Sequence, residues 1–282
     1  MAIVIATIPA VSAGRQGSIV AIVDRFEAFL IDLDGVVYVG DGLVSGSDRA
    51  VRALQEMGKR VVFLTNDPRS SREEYATKLR RLGLEVEASD ILTSGAATAA
   101  SIGRHEETSG RAAFVIGTPA LKAEVRAVGL EVVEGEPGAR ADVVVVGGHD
   151  RFGYDELRIA TQALRRGAAF YGTGRDATFP MPDGPWPAAG AILAAVETAA
   201  GRPARVIGKP EPDMFRVALE LVGGDARRAV VVGDRLDSDI AGGHRAGLAT
   251  VLVLTGSSTE AEAAVASPAP DFVVPDLEGL LA

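Results

Sequence analysis

The sequence predicts an α/β protein whose core is a doubly wound parallel sheet, with a smaller α/β domain inserted into it. Near-continuous apolar, β-branched runs, such as residues 143–146 and 229–232, are typical of strands buried on both faces of a parallel sheet. Amphipathic stretches lie between these runs, and glycines suited to ending helices follow several of them. This alternation is the pattern of repeated βαβ units, and it predicts a Rossmann-like core.

The predicted strands and helices alternate along the chain. The predicted strands are residues 28–33, 60–65, 112–116, 141–146, 229–233 and 249–254. Helices are predicted at 71–82 and 213–222, where apolar residues recur on one side at helical spacing. Gly83 and Gly223 follow these helices, so we expect both helices to end at a glycine.

A change of composition in the middle of the chain predicts a second domain. Residues 105–110 are polar and loop-like, and the segment 172–187 is dense in glycine and proline. We therefore expect a core formed by residues 1–104 and 205–282, with a smaller αβ domain inserted at 105–204.

The first residues are apolar but do not fit a membrane span. They lack the basic start of a signal peptide, and Pro9, Gly14 and Arg15 interrupt them too early to cross a bilayer. We expect residues 1–17 to form a loose extension. A weak secretory signal ending near Ala13 is the less favoured alternative.

Composition narrows the chemistry. A formal net charge of −9 argues against nucleic acid as the main partner, because phosphate backbones are bound by basic patches. The chain has no cysteine, which excludes disulfides and thiol catalysis and fits a reducing cytoplasm. The three histidines are widely separated, so a metal site is expected to use oxygen ligands.

Four polar segments occur in a fixed order, each at the end of a predicted strand or just after one. They are Asp32-Leu33-Asp34-Gly35, Thr65-Asn66, Gly208-Lys209-Pro210 and the acidic segment 233–239. The carboxyl ends of parallel strands line one crevice of an open sheet. The sequence therefore predicts that two acidic clusters, a hydroxyl group and a lysine lie together.

Taken singly, each of these segments has an ordinary structural explanation. An acidic turn after a buried strand occurs in many folds, and Thr65 with Asn66 could begin the next helix. A lone lysine such as Lys209 is more often solvated than buried. Asp237 is expected to be an acid in the first turn of a helix, favoured by the helix dipole, whereas Asp239 is not assigned that role.

The four segments in this order, with a long insertion between the second and third, resemble the haloacid dehalogenase (HAD) superfamily of aspartate-dependent phosphotransferases. Residues 32–38, 176–180, 208–215 and 233–240 resemble its class IIA group, which contains p-nitrophenyl-phosphate, phosphoglycolate, glycerol-phosphate, pyridoxal-phosphate and nucleotide phosphatases. The resemblance covers residues 24–258 and implies that the insertion is a C2-type cap.

The resemblance implies a Mg²⁺-dependent phosphomonoesterase that hydrolyses a small phosphorylated metabolite through an aspartyl-phosphate. The alternative within the same chemistry is a phosphotransferase or mutase that passes the phosphoryl group to an acceptor other than water. A signalling receiver domain also gathers acidic residues, a threonine and a lysine at strand ends, but it is far shorter and has no cap-sized insertion. A non-catalytic scaffold is disfavoured by the complete motif set.

In this resemblance, Asp32, Asp234 and the main-chain carbonyl of Asp34 are the expected ligands of Mg²⁺. Asp32 is the expected nucleophile, and Asp34 the acid that protonates the leaving alkoxide and then the base that activates water. Because an alkoxide needs a proton and a halide does not, an acid at Asp34 favours ester hydrolysis over dehalogenation.

Thr65 and Lys209 are expected to bind the phosphoryl oxygens, where negative charge is greatest in the transition state. Asn66 is expected to contribute to phosphate binding, by shaping the loop or by reaching the leaving group. Gly35 and Asp239 are expected to support the site, Gly35 by turning the chain and Asp239 by holding Lys209 or the Asp234 loop.

Substrate choice is expected to lie in the cap, where Arg175 and Asp176 are candidates and Phe179 and Trp186 could form apolar walls. A surface position for Arg175 is almost equally expected. Gly174 and Asp67 depart from the residues usual in similar sequences, and Asp67 is expected to disfavour strongly anionic leaving groups. The identity of the ester stays open, as does a homodimer formed through the cap.

Overall fold

The computed structural model describes residues 21–181 and 183–282, so the predicted loose extension at 1–17 lies outside the described residues. Within them, two parallel sheets are flanked by helices, and the predicted α/β class with a doubly wound core and a smaller inserted sheet is confirmed. None of the described helices has the length and apolarity needed to cross a bilayer.

The strands are numbered in chain order. They are β1 (Ala28–Asp32), β2 (Tyr38–Val39), β3 (Gly42–Leu43), β4 (Arg60–Thr65), β5 (Ile91–Thr93), β6 (Ala112–Gly117), β7 (Glu131–Val133), β8 (Val143–Gly148), β9 (Ala169–Gly172), β10 (Thr178–Met181), β11 (Gly184–Pro187), β12 (Arg205–Val206), β13 (Ala229–Gly233), β14 (Ala249–Val253) and β15 (Phe272–Val274).

The α-helices are numbered in the same way. They are α1 (Ile22–Arg25), α2 (Ser47–Glu56), α3 (Arg72–Arg81), α4 (Ser94–His105), α5 (Pro119–Ala127), α6 (Tyr154–Arg165), α7 (Ala189–Ala200), α8 (Pro212–Leu221), α9 (Ala241–Arg245) and α10 (Glu260–Val265). Short 3₁₀ turns lie at Ala88–Asp90, Glu136–Arg140, Ala226–Arg228 and Leu277–Leu281, and a π-helical turn at Leu236–Ile240 leads into α9.

The larger sheet is parallel, with six strands in the order β15-β14-β13-β1-β4-β5. The central strand β1 pairs with β13 and β4, which sets Ile31 beside Val232 and Phe63. Because all six strands run the same way, their carboxyl ends form one edge. The edge strands β5 and β15 have only three residues each, too few for a hydrophobic period to show in the sequence.

The smaller sheet is also parallel, with five strands in the order β12-β9-β8-β6-β7. Its last strand, Arg205–Val206, pairs with Tyr171 and Gly172 of β9. Arg205 and Val206, which the sequence-based division assigns to the core, thus pair with the smaller sheet. The division into a core at 1–104 and 205–282 and an inserted domain at 105–204 stays a prediction.

The two sheets share one buried apolar cluster. Leu30 and Val62 on one face of the larger sheet lie in the same cluster as Val115 and Val145 of the smaller sheet. Helices α4 and α8 contribute to this cluster as well, whereas α6 and α7 cover the opposite face of the smaller sheet. Shared burial of this kind packs the inserted sheet against the core instead of leaving it tethered by linkers.

A β-hairpin forms within the glycine- and proline-rich segment 172–187. Strands β10 and β11 pair antiparallel there, with Phe179 opposite Trp186. The two rings lie 6.4 Å apart between centroids in a tilted arrangement. The segment therefore carries a pair of aromatic side chains out beyond the parallel strands of the smaller sheet.

Candidate active site

Polar residues meet where strands of the larger sheet end. Asp32 is the last residue of β1, Thr65 is the last residue of β4, and Asp234 directly follows β13. Lys209 joins them from the segment between β12 and α8. All four side chains are buried, and all four line one cavity. Residues far apart in sequence come together here because parallel strands deliver them to the same edge.

Lys209 lies between two carboxylates. Its Nζ donates hydrogen bonds to Oδ1 of Asp32 at 2.5 Å and to Oδ1 of Asp239 at 2.7 Å. Burial by itself would lower the pKa of Lys209, but Asp239 and Asp32 raise it, so the ammonium stays charged. The other oxygen of Asp239 accepts a hydrogen bond from the main-chain N–H of Arg235 at 3.2 Å.

A carboxylate oxygen of Asp234 is left without a partner. Oδ1 is buried and has no hydrogen-bond partner among the described residues, whereas Oδ2 accepts the main-chain N–H of Ser257 at 2.6 Å. Oxygens of Asp32, Asp234 and Asp239 lie within 4.8 Å of one another. A buried, unpaired carboxylate oxygen is costly, and its position beside Asp32 fits an oxygen-ligated divalent cation.

Charge supports the same conclusion about a cation. Burial raises the pKa of Asp32 to about 8, an effect that Lys209 opposes and Asp239 strengthens. Burial also raises the pKa of Asp234 above its ordinary value. Lys209 is bonded to Asp32 and Asp239 and not to Asp234, so a bound Mg²⁺ would supply the further positive charge that keeps Asp32 and Asp234 ionised. Both oxygens of Asp239 accept hydrogen bonds, whereas Asp32 and Asp234 each accept through one oxygen, so Asp32 and Asp234 are the better side-chain ligands.

Two glycines give Asp234 its space. Gly35 has φ +82°, and a Cβ on it would lie 2.6 Å from Oδ2 of Asp234. A Cβ on Gly256 would lie 2.0 Å from the same oxygen. Thr255, beside it, donates its hydroxyl to the carbonyl of Gly35 at 2.6 Å. The loop after β14 was missed in the sequence, although it follows a predicted strand and so lies at the same edge of the sheet.

Asp34 faces the cavity next to Tyr38. The Tyr38 hydroxyl donates to Oδ2 of Asp34 at 3.4 Å, and the ammonium of Lys78 lies 3.6 Å from the centre of the Tyr38 ring. Desolvation by the surrounding protein raises the pKa of Asp34, with Lys78 opposing the shift. A carboxyl group with a raised pKa that borders a cavity can give and take a proton there.

Thr65 and Asn66 have different surroundings. The hydroxyl of Thr65 accepts the main-chain N–H of Asp67 at 3.1 Å, and Thr65 lines the cavity. The side chain of Asn66 is bonded within the protein. Its Oδ1 accepts the N–H of Lys209 at 2.8 Å, and its Nδ2 donates to the carbonyl of Lys209 and to Asp176, both at 2.9 Å. Asn66 therefore shapes the loop around Lys209 with its side chain.

Arg175 and Asp176, the two cap residues considered for substrate choice, have different surroundings. Arg175 turns to α7, where it forms a two-pronged ion pair with Glu197 at 2.8 and 3.0 Å. Arg175 is not among the described residues that line the large cavity. Asp176 does line it, and its oxygens contact Asn66 and Arg235 of the core.

The cavity between the sheets has a volume of about 1080 Å³. The β10–β11 hairpin forms one side of the cavity, which we call the outer wall. It places the apolar side chains of Phe179, Met181 and Trp186 against the cavity. Arg69 stacks on Phe179, with its guanidinium 3.7 Å from the ring centre, and it also forms a two-pronged ion pair with Asp67. A space of this size accommodates a small metabolite ester.

Among the lining residues that the sequence analysis did not predict, Arg69, His149 and Asp150 carry polar side chains into the cavity wall. Arg69 follows Thr65 and Asn66 in the loop after β4, while His149 and Asp150 directly follow β8 of the smaller sheet. His149 pairs with Glu156 of α6 at 2.9 Å. The signal that could have identified His149 and Asp150 is their position after a predicted strand, because the ends of cap strands also face the cavity.

Buried aspartates at the ends of two parallel strands, a lysine held between carboxylates and an inserted α/β cap are the features of a phosphatase with a capped α/β core. The model of the haloacid dehalogenase-like hydrolases matches residues 29–131, and a second HAD-hydrolase-like model matches residues 206–280. The chain belongs to this family, and within it to the class IIA HAD phosphatases.

Named relatives and a solved structure agree with this assignment. The chain is 38% identical over 258 residues to mouse chronophin, covering 88% of each chain. It is 36% identical over 250 residues to a sugar phosphatase from Bacillus subtilis, covering 88% of this chain and 90% of the relative. A structure of glycerol phosphate phosphatase from Mycobacterium tuberculosis in complex with magnesium superposes with a TM-score of 0.85 at 35% identity, covering 92% of this chain and 78% of that one.

Proposed function

We propose that this protein is a Mg²⁺-dependent phosphomonoesterase that hydrolyses a small phosphorylated metabolite through an aspartyl-phosphate on Asp32. The observation that carries the proposal is the buried group at the sheet edge. Asp32 and Asp239 hold the ammonium of Lys209 between them, and Asp32 also lies beside an Asp234 oxygen that has no hydrogen-bond partner among the described residues. This arrangement offers a nucleophile, positive charge for a phosphoryl group and a position for a cation.

The first step transfers the phosphoryl group to the protein. A carboxylate oxygen of Asp32 forms a bond to phosphorus as the bond from phosphorus to the ester oxygen breaks. Asp34, whose pKa is raised by desolvation, gives its proton to the departing alkoxide. Lys209 and the hydroxyl of Thr65 stabilise the charge on the phosphoryl oxygens. The alcohol leaves, and Asp32 carries a mixed anhydride.

The second step returns Asp32 to its starting state. The carboxylate of Asp34 takes a proton from water as the water oxygen attacks phosphorus and the bond to Asp32 breaks. The products are inorganic phosphate and a free Asp32 carboxylate. Asp32, Asp234 and the main-chain carbonyl of Asp34 would hold Mg²⁺, which when bound neutralises charge between the Asp32 carboxylate and the anionic ester.

The charges around the cavity favour an uncharged leaving group. Six aspartates line the cavity in the described chain: Asp32, Asp34, Asp67, Asp150, Asp176 and Asp234. The arginine and lysine side chains that line it there are Arg69, Lys209 and Arg235, and each is already paired with a carboxylate. A second anionic group on the substrate would therefore find no free cation, whereas hydroxyl groups would find acceptors.

The expected effect of Asp67 on anionic leaving groups has a different basis from the one that the sequence suggested. Asp67 does not act as a free acid, because Arg69 neutralises it through two hydrogen bonds of 2.8 Å. Its effect on the cavity is to occupy Arg69, which would otherwise attract an anion.

Hydrolysis is preferred over transfer to another acceptor, since the named relatives include phosphatases. The larger sheet would be the catalytic core and the smaller sheet the cap. A homodimer through the cap and a cytoplasmic location stay predictions.

The first experiment is phosphate release from p-nitrophenyl phosphate with Mg²⁺, with EDTA and with Asp32→Asn. We expect turnover that needs the metal and is abolished by the substitution, with inorganic phosphate as the product. Equal turnover by wild type and Asp32→Asn would rule out the proposed nucleophile. Transfer of phosphate to an added alcohol in place of water would favour the phosphotransferase alternative.

A further inference from the structure

One carboxylate of the smaller domain contacts both of the loops that hold Lys209. Asp176 lies in the loop between β9 and β10. Its Oδ2 accepts Nδ2 of Asn66 at 2.9 Å, and its Oδ1 accepts Nη1 of Arg235 at 3.3 Å. Asn66 follows β4 and Arg235 follows Asp234, so the two contacts join the cap to two separate loops of the core.

Both of these contacts lead to Lys209, the first through Asn66 alone and the second through Arg235 and then Asp239. Asn66 bonds to both the N–H and the carbonyl of Lys209, at 2.8 and 2.9 Å. Arg235 donates its main-chain N–H to Asp239, which in turn accepts Nζ of Lys209 at 2.7 Å. One path therefore reaches the main chain of Lys209, and the other reaches its side chain.

The amide of Asn66 has only one orientation that satisfies these bonds. Nδ2 must face the two acceptors, the Asp176 carboxylate and the Lys209 carbonyl, and Oδ1 must face the Lys209 N–H. Close packing adds to the constraint, because a Cβ on Gly208 would lie 2.2 Å from the carbonyl oxygen of Thr173 and 2.9 Å from Oδ1 of Asn66. The cap thus touches the chain directly next to Lys209.

We propose that Asp176 is a positioning residue that couples the seating of the cap to the placement of Lys209, and that it does not select the leaving group. This inference rests on the proposed phosphatase function for its kinetic test. It replaces the expectation from the sequence that Asp176 determines substrate specificity. When Asp176 is removed, Asn66 loses one of the two acceptors that orient its amide, and Arg235 loses its contact with the cap. The main-chain bond from Gly208 to the carbonyl of Thr173 remains.

A second ion pair between the domains provides a matched control. Arg72 of α3 donates Nε to Oε1 of Glu124 of α5 at 2.8 Å. This pair also joins core to cap, but it involves neither Asn66 nor Lys209. Glu124→Gln therefore weakens cap attachment without changing the path to Lys209.

The kinetic test compares wild type, Asp176→Ala, Asp176→Asn and Glu124→Gln on p-nitrophenyl phosphate and on glycerol 3-phosphate. We expect Asp176→Ala to lower kcat by about tenfold to a hundredfold, the scale of a misplaced catalytic group. The factor should be the same for both esters, with KM little changed. Asp176→Asn should fall between, because an amide keeps one acceptor oxygen, and Glu124→Gln should match wild type. Asp176→Ala should slow Asn66→Ala by a smaller factor than it slows wild type, because only the path through Arg235 is then left to lose.

Several results would overturn the inference. A loss that differs strongly between the two esters, or that appears in KM, would make Asp176 a contact to the leaving group. If Asp176→Ala were fully active while Asp32→Asn was inactive, the proposed phosphatase function would stand and the proposed coupling through Asp176 would be wrong. If Glu124→Gln lost as much kcat as Asp176→Ala, the loss would come from weaker attachment of the cap in general and not from the path to Lys209.

A measurement without substrate tests the coupling independently of activity. The N–H of Lys209 is held by Asn66, so we expect its amide hydrogen to exchange faster in Asp176→Ala than in wild type and Glu124→Gln. Unchanged exchange at Lys209 would overturn the inference, even if the enzyme hydrolysed neither ester. Matching unfolding midpoints for the variants would exclude a general loss of structure as the cause of faster exchange.

Discussion

The edge of the larger sheet and the outer wall of the cavity differ in how firmly their side chains are held. At the sheet edge, Lys209 and Asp239 are almost fully buried and bond to each other. On the outer wall, Met181 and Trp186 are 37% and 40% exposed. A buried, mutually bonded group has one arrangement, whereas an exposed apolar wall can adapt. We infer that the edge determines the reaction and the outer wall determines which leaving group is accepted.

The proposed nucleophile, Asp32, should show the largest difference between the sheet edge and the outer wall. Asp32→Asn removes the attacking carboxylate, and we expect kcat to fall by at least about a thousandfold, as in other enzymes that lose their nucleophile. The factor should be similar for aryl and alkyl esters, because the change lies in the chemistry and not in the outer wall. Steady-state kinetics on both ester types would measure it. A loss confined to one ester would break the proposed division, and an unchanged unfolding midpoint would exclude misfolding.

Asp34 lies where the two regions meet, and its loss should depend on the leaving group. For Asp34→Asn we expect kcat to fall by about 10²- to 10⁴-fold on glycerol 3-phosphate, the usual contribution of a general acid and base. The loss in the step that expels the leaving group should be smaller for p-nitrophenyl phosphate, since nitrophenolate departs without a proton. Single-turnover release of the two alcohols would measure this step. Equal losses on both esters would argue against the acid role.

Asp234 tests the metal position. In wild type, added Mg²⁺ should raise the unfolding midpoint, because a ligand that binds only the folded protein stabilises it. Asp234→Asn should weaken Mg²⁺ binding by at least about tenfold to a hundredfold, the cost known for even the outer partners of metal sites. Thermal unfolding over a Mg²⁺ titration would give both values. Asp237→Asn is the control, because Asp237 lies in the same loop but its side chain is 75% exposed. Equal Mg²⁺ effects in wild type and Asp234→Asn would contradict the assignment.

The smallest expected effect concerns charge in the outer cavity. Asp67→Asn frees Arg69 from its ion pair, so the ratio of kcat/KM for 2-phosphoglycolate to that for glycerol 3-phosphate should rise by about two- to fivefold, the scale of a partly exposed pair.

The matched control for this prediction is Asp225→Asn. It breaks a pair of the same spacing, with Arg227, on the surface. A ratio that changes equally in both variants, or in neither, would contradict the role of Asp67 and weaken the case for an uncharged leaving group.

Four of the six strands of the larger sheet, and the polar residues at its edge, could be predicted from the sequence alone. The apolar runs ending at Asp32, Thr65 and Gly233 predicted three strands of the larger sheet, and their common direction predicted that polar residues would meet. These predictions succeed because the burial of a strand follows from its local hydrophobic pattern. The direction of a strand follows from the rules that govern connections between strands.

The contacts that the side chains make could be seen only in the folded structure. The sequence could not show that Arg175 pairs with Glu197 or that the amide of Asn66 hydrogen-bonds to Lys209. It also could not show that Asp176 joins the cap to two core loops. Long-range partners such as these depend on how one sheet is packed on the other, which is set by a shared apolar cluster drawn from both sheets. Local pattern specifies that a side chain reaches an edge, and packing between distant segments specifies what it meets there.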